Sequence, residues 1–429
     1  MAPTVSSIAA PSGTVIVDQS GSGHFTAINQ AVAYAQVSTQ PPVLVRAGTY
    51  HEVITVSGTA QVNVISESAD ATSYSKNQVI VSNTSAPLTF SVGGVQGTAW
   101  RNINFINTNT GTAPAVSLRS KQNAFYNCQF ISSGAGTITA SNVGTILIAN
   151  SYIEGTDKLF SGYLGVYVYS STIVPTASSS IVVYSKGYST PTQFSQTVID
   201  SCTISQKTGL SNTYVYLAGA NGDGSQAVYK YSSIAGFVAP GGVRTWGTNG
   251  FYGEYQTTGL GSFSYDSKRI DAHMNSSMLS NCTIDYVFAN SFTGFTSAAM
   301  SWVDSLVLRS IAAANVVVSS SGSSSSALTS SSNVSSPSTE SQTSIQTATS
   351  MSASFSATGG SLTVITTSQT SSSVSPTATC DLPASIPSTA LVVGPSGSCA
   401  QYNTFSSAIA ALPKDSTTQY VYILAGTYT

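Results

Sequence analysis

Six short segments of this 429-residue chain are variations of one another: RNINF, YNCQF, NSYIE, SSTIV, SCTIS and YSSIA. Their aligned apolar residues are Phe105, Phe130, Ile153, Ile173, Ile204 and Ile234, which recur every 20 to 31 residues or so, a period within the range of solenoid repeats. Each unit joins a small polar turn, often with Asn, to a β-branched or aromatic strand too short to stand alone. Stacking such units as parallel coils gives every strand hydrogen-bonding neighbours and buries one continuous apolar column, so the repeat predicts an all-β fold, a parallel β-helix. An antiparallel β-sandwich is the rival for a chain of many short strands. Two-residue NG or DG hairpin turns do not recur between these strands, which counts against it.

Composition agrees with short strands and tight turns. Charged residues make up only 7% of the chain, against roughly a quarter in ordinary soluble domains. The formal net charge is -2 with no basic cluster, so neither a nucleic-acid surface nor a polybasic membrane patch is expected. No stretch reaches the roughly 18 apolar residues of a membrane span, and the opening MAPTVSSIAAPSGTV shows neither the basic nor the apolar region of a secretory signal. Five cysteines are scattered without zinc-site spacing. Cys128, Cys202 and Cys282 read as small buried residues. Cys380 and Cys399 bracket a short Pro-rich stretch and are a candidate disulfide in an oxidising compartment.

The chain divides by composition. Residues 1–14 form an N-terminal extension and 15–309 the β-helix domain. Residues 310–388 are an almost unbroken Ser/Thr run that cannot bury enough apolar surface to offset its ordering entropy, so they read as a disordered linker. From 389 to 429 the chain begins again: VVGPSGSCAQYNTFSSAIAALP and YVYILAGTY repeat VDQSGSGHFTAINQAVAYA and PVLVRAGTY. Each copy has an SGS turn, a short amphipathic helix (Phe25, Ile28 and Val32; Phe405, Ala408 and Ile409) and a buried strand ending in AGTY. The second copy reads as the truncated start of another module.

Between Ala113 and Gly162 stand APAVSLRSKQNAFYNCQF, ISSGAGTITA and SYIEGTDKLFSG. With VDQSGSGHFTAINQAV, VRAGTYHEVI, WRNINFINT, VYLAGANG and WGTNGFYGEYQTTGLGS they keep the order of segments in the pectin methylesterase (pectinesterase) family, and the first module resembles that family over residues 15 to 265. The resemblance implies a right-handed, pectin-lyase-like parallel β-helix, a long cleft for polygalacturonate, and hydrolysis of galacturonan methyl esters to methanol without a cofactor or metal. It also implies a catalytic set. One aspartate attacks the ester carbonyl, a second handles the proton of departing methanol, glutamine amides hold the oxyanion and an arginine orients the nucleophile.

Carried over position by position, that set is vacated. The first glutamine falls on Pro114, the Gln-Asp pair on Gly134 and Ala135, and the nucleophile of the GTVDFIFG block on Lys158 in GTDKLFSG. The arginine and tryptophan of LGRPW fall on Gly219 and Asn221. Asp157 is the one rescue, through a one-residue register slip; without a slip, strand alternation sends it to the face opposite Lys158. Lys158 as a nucleophile would leave a stable amide, and its better role is a cation facing an anionic polysaccharide. His51 and Glu52 match a position that looks structural. GDGSQA at Gly222 to Ala227 mimics a dinucleotide fingerprint without the helix one requires.

Tyr167 and Tyr169, and Tyr214 and Tyr216, sit two apart on their strands near the cleft blocks and are candidates for stacking on sugar rings. Acceptor sequons at Asn83, Asn275, Asn281 and Asn333 are candidate glycosylation sites on a secretory route. Three readings follow: a secreted pectin-binding pseudoenzyme; an active pectin methylesterase through a second module beyond residue 429; and a structural cell-wall β-helix on a Ser/Thr stalk.

Overall fold

The computed structural model describes residues 12–38, 40–56, 60–83, 90–93, 98–111, 114–119, 122–187, 195–207, 214–221, 224–244, 250–265, 268–269, 274–290, 300, 302–321, 351–357, 360–367, 391–394, 400–402, 407–408, 411 and 419–424. They fall in two compact units, Met1–Ser326 and Ala327–Thr429.

The first unit is a right-handed parallel β-helix with three strand faces. Face one runs through ten strands, from Val15–Val17 to Phe251–Tyr255, and face two through eight, from Gly48–Tyr50 to Ser233–Ile234. The repeat register is visible on face two, where Phe105 pairs with Phe130, Phe130 with Ile153, Ile153 with Ile173, Ile173 with Ile204 and Ile204 with Ile234. All six are buried. The column is aromatic early, with Phe105 and Phe130 stacked at 5.6 Å and Phe125 edge-on to Phe130 at 5.2 Å.

Face three carries Ile54–Val56, Phe90–Gly93, Val116–Arg119, the opening residues of Ile138–Ala149 and Lys158–Tyr169, then Ile181–Lys186 and Tyr216–Asn221. The two twelve-residue strands turn the corner from face three to face one, and their pairing shifts register between Ala140 and Gly144. Gly162 makes its bend at φ +112°, where an added Cβ would stand 1.9 Å from the Ala140 carbonyl oxygen. Only glycine fits that corner.

Between faces one and two, one residue per coil takes the left-handed conformation: Asn102, Asn127, Asn150, Ser170, Ser201, Tyr231 and Gln256, with φ between 47° and 61°. The backbone N–H of each from Asn102 to Tyr231 donates to a carbonyl of the next coil, as Asn127 does to Ala149 at 3.0 Å. This is the small polar turn of the repeat, and Asn is common there because it tolerates φ > 0 better than most residues. The next position forms a ladder in which Cys128 N donates to Ser151 Oγ, Ser151 N to Ser171 Oγ, Ser171 N to Cys202 Sγ and Cys202 N to Ser232 Oγ. Cys128 and Cys202 are thus buried rungs, and burial pushes the Cys128 thiol up to about 12.

Helix α1 (Ile28–Val37) packs against the first coils through Ile28, Ala31, Val32 and Ala35; Phe25 precedes it, bridging to Val17. Its Ala27 cap offers no side-chain acceptor, and Glu52 takes that role, accepting from Ile28 N and Asn29 N at 2.8 Å each. A carboxylate on two orphan N–H groups also meets the positive end of the helix dipole. The structural reading of Glu52 has its mechanism here. Helices α2 (Ile284–Asn290) and α3 (Ser305–Ser321) lie over the outer side of face one. Asp304 starts α3 by accepting from Leu306 N and tethers it to the coil through Arg101 at 2.8 Å.

Helix α3 crosses residue 309, where composition ended the first domain, because its start, SLVLRSI, carries apolar residues that pack on the coil, with Ile311 buried and Val307 and Leu308 against the same cluster. In the second unit Met351–Ala357 and Gly360–Thr367, which fall within the Ser/Thr-rich stretch, pair antiparallel; the β-branched residues of GSLTVITT supply the β preference. That unit also repeats the first coil. Leu391, Val392 and Val393 pair with Val421, Tyr422 and Ile423, as Val15, Ile16 and Val17 pair with Val43, Leu44 and Val45. The bridge from Val393 to Tyr402 mirrors that from Val17 to Phe25, so Tyr402 rather than Phe405 is the counterpart of Phe25. Cys380, Cys399, Asn333, Phe405 and Ile409 lie outside the described residues.

Candidate functional site

The positions singled out by motif fall on consecutive coils at the edge of face three. Pro114 is buried, its carbonyl accepting from Asn107 Nδ2 at 3.0 Å. On the next coil Gly134 N donates to Ser132 Oγ, Gly134 O accepts from Thr156 Oγ1 and the exposed Ala135 donates its N–H to Gly111 O at 2.9 Å. The local backbone donors at 134 and 135 are therefore engaged. Lys158 begins the following strand, pairs in register with Ile181, and Ile181 pairs with Tyr216. Three residues along, Ser161 pairs with Tyr184 and Tyr184 with Gly219.

Asp157 does not point away from Lys158. It lies in the bend before the strand, where two-residue alternation does not yet apply, and its Oδ2 stands 3.2 Å from Lys158 Nζ, the side chains 38% and 32% exposed. The same ammonium lies over the Tyr184 ring, 4.9 Å from its centroid. Two coils on, Gly219 is buried and a Cβ there would meet Ile181 Cδ1 and Tyr184 Cδ2, both at 3.3 Å. The space above position 219 is lined by those two side chains, so a larger residue there requires them to shift. Arg244 comes from the next coil, its N–H donating to Ala218 O at 3.0 Å, with its guanidinium 5.9 Å from the Tyr216 ring centroid. The face thus presents two partly buried tyrosines, each with a cation near its ring.

The four tyrosines proposed as stacking platforms part company. Tyr214 is 58% exposed and Tyr216 partly buried on face three. Tyr167 is fully buried, which corrects its assignment to sugar contact: its hydroxyl donates to Asp200 Oδ2 at 2.5 Å beneath the helices. Tyr169 is corrected likewise, since its ring packs under α3 and its hydroxyl donates to Ser310 O at 3.1 Å. A hydroxyl and ring already engaged inside the fold cannot take a polymer.

Tyr184 and Arg244 escaped the sequence reading. Register would have found Tyr184, the strand partner of Gly219, and the scarcity of cations in this chain flags Arg244. Of the sequons, Asn275 is exposed and caps the 3-10 stretch Ser276–Cys282 by accepting from Ser277 N, Asn281 is exposed, and Asn83 ends the strand Val79–Asn83. Among the described residues no cluster of three or more His, Cys, Asp or Glu side chains is placed to hold a metal, and no helix is long and apolar enough to cross a membrane.

A family model described as pectinesterase matches residues 14–293. Probable pectinesterase A of Neosartorya fischeri is 28% identical over 268 residues, 59% of this chain and 81% of that protein. A pectinesterase of Daucus carota is 30% identical over 270 residues, 58% of this chain and 83% of its own length. The crystal structure of the Aspergillus niger pectin methylesterase in deglycosylated form superposes with a TM-score of 0.56 at 25% identity, covering 70% of this chain and 98% of that one. The pectin methylesterase from carrot, at 24% identity and a TM-score of 0.55, covers 69% and 98% and shares the fold. With the family match spanning the coils from the first strand through α2, this chain belongs to the pectinesterase family.

Proposed function

We propose that the first unit is a non-catalytic, secreted member of its family that binds pectin or a related plant cell-wall polysaccharide. The observation that carries the reading is the side-chain content of the site. Where the family resemblance calls for two glutamines, two aspartates and an arginine stand Pro114, Gly134, Ala135, Lys158 and Gly219. Ester hydrolysis needs a nucleophile, a separate acid/base and donors aimed at the oxyanion. Asp157 offers one carboxylate, already paired with Lys158. None of the other positions supplies a second, and the N–H groups of Gly134 and Ala135 are committed elsewhere. Loss of several members of such a set removes most of the rate, and the residual catalysis that survives in comparable sets depends on an intact oxyanion hole.

The test is methanol release from methyl-esterified pectin, expected at background. Restoration by Pro114→Gln, Gly134→Gln, Ala135→Asp, Lys158→Asp and Gly219→Arg, with Tyr184→Ala to clear the space above position 219, is expected to bring activity back. Methanol release by the unmodified chain that Asp157→Asn abolishes would show instead that Asp157 is a working nucleophile. Retention on immobilised pectin is the positive arm; its failure favours a rigid cell-wall spacer.

A further inference from the structure

We infer that the surface formed by Lys158, Tyr184, Tyr216 and Arg244 selects the free carboxylate form of an acidic sugar polymer over its methyl ester. The inference rests on the proposed binding function and adds the chemistry it would read. Four successive coils contribute: the parallel register sets Lys158 beside Ile181 and Ile181 beside Tyr216, with Tyr184 beside Gly219 three residues along, and Arg244 follows on the next coil. Ile181 is 1% exposed and forms the floor. Tyr184 and Ile181 close over Gly219, each 3.3 Å from where a Cβ would stand, so the absent side chain lets the tyrosine lie against the floor.

The two cations have different partners. Arg244 is exposed and held near the Tyr216 ring, 5.9 Å from its centroid. Lys158 is shared between the Tyr184 face and the Asp157 carboxylate. An ion pair this exposed contributes little to stability, so Asp157 is a weak internal competitor that an incoming carboxylate replaces at small cost. A sugar ring offers apolar C–H faces to the tyrosines, and a uronate adds a carboxylate for the ammonium or the guanidinium, which binds carboxylates in a planar fork. Methyl esterification keeps the ring face and removes the charge. Discrimination between the two forms therefore falls on Lys158 and Arg244, and affinity common to both falls on Tyr184 and Tyr216.

Calorimetric titration of the full chain with oligogalacturonate and with the same oligomer fully methyl-esterified tests this. The expected result is about tenfold tighter binding of the acid form, the size of a charge-assisted contact, narrowing as salt screens the cations. Arg244→Gln, at an exposed position, is expected to erase about half of that preference on a logarithmic scale. Asp157→Asn is expected to tighten the acid form by about two- to fivefold through removal of the competitor, an effect that a purely structural aspartate would not produce. Equal affinity for the two forms overturns the inference and leaves the binding function standing. Unchanged or weaker acid binding in Asp157→Asn also overturns it, and absence of binding to either form overturns the proposed function with it.

Discussion

The motif Tyr-Val-Tyr occurs at 167–169 and again at 214–216, and the two copies meet opposite fates on the same scaffold. In both, the central valine faces the coil interior and is buried, Val168 at 0% and Val215 at 2% exposure, which turns the flanking tyrosines outward. At 167–169, outward means beneath α2 and α3, among Val287, Trp302 and Ile311. At 214–216 no such cover is packed among the described residues, and Tyr214 is 58% exposed. Each pair also has a lysine–aspartate bridge nearby. Lys230 and Asp200 stand 3.1 Å apart at 2% and 0% side-chain exposure, Lys158 and Asp157 3.2 Å apart at 32% and 38%. Nearly equal distances conceal a large energetic difference, because water screens the second pair and not the first. The covered face has been converted into core and the other keeps its tyrosines at the surface.

Removing one cation from each pair gives the largest contrast. Lys230→Met leaves Asp200 buried without its cation, with the neutral donors Tyr167 Oη and Ser201 Oγ still on it, and is expected to cost about 3–5 kcal/mol, while Lys158→Met is expected to cost about 1 kcal/mol or less. Urea denaturation of both variants measures it. Similar losses in the two would break the comparison.

Alkaline titration separates the faces by a second route. Tyr126 lies under the helical cover, its hydroxyl oxygen accepting from Asp304 N, and burial pushes its pKa up to about 12. A folded-state value above the unfolded one favours the protonated form in the native state, so the associated stability is complete below pH 10 or so and is lost as pH rises toward 12. The slope is roughly 1.4 kcal/mol per pH unit in that window. Tyr126→Phe is expected to flatten this part of the profile, and an unaltered slope would show that the loss arises elsewhere.

The smallest effect sharpens the picture of the cover itself. Cys282 is buried beneath the helices, its thiol pushed up to about 11 by burial, so labelling by a thiol reagent at neutral pH reports local opening. Tyr169→Phe removes the bond to Ser310 O and is expected to speed labelling of Cys282 about fivefold, the equivalent of one net hydrogen bond. Cys128 and Cys202, rungs inside the coil, are expected to stay protected. Equal acceleration at all three cysteines would mean that cover and coil open as one unit.

Much of the scaffold was legible because a solenoid repeats its contacts in the order of its sequence. The column from Phe105 to Ile234 could be aligned by eye and is the register of face two. The first-coil pattern was legible twice, at Val15–Val17 and Leu391–Val393. The site was legible only in part. Strand alternation misplaced Asp157 because the residue precedes its strand, and it offered no means of seeing that Ser305–Ser321 would fold back over Tyr169, more than a hundred residues earlier.

By itself the sequence determined the coil: which residues of the repeat point inward, where a small polar turn separates the strands, and which side chains stand at the motif positions from Pro114 to Gly219. These are local or nearest-neighbour properties, set by a two-residue side-chain period and a repeat near 25 residues. Only the tertiary structure decided which outward face became core and which stayed open. That choice depends on α2 and α3 finding one apolar flank and not the other, and on a register that brings Tyr184 and Arg244 beside Lys158 and Tyr216 from coils that no local pattern connects.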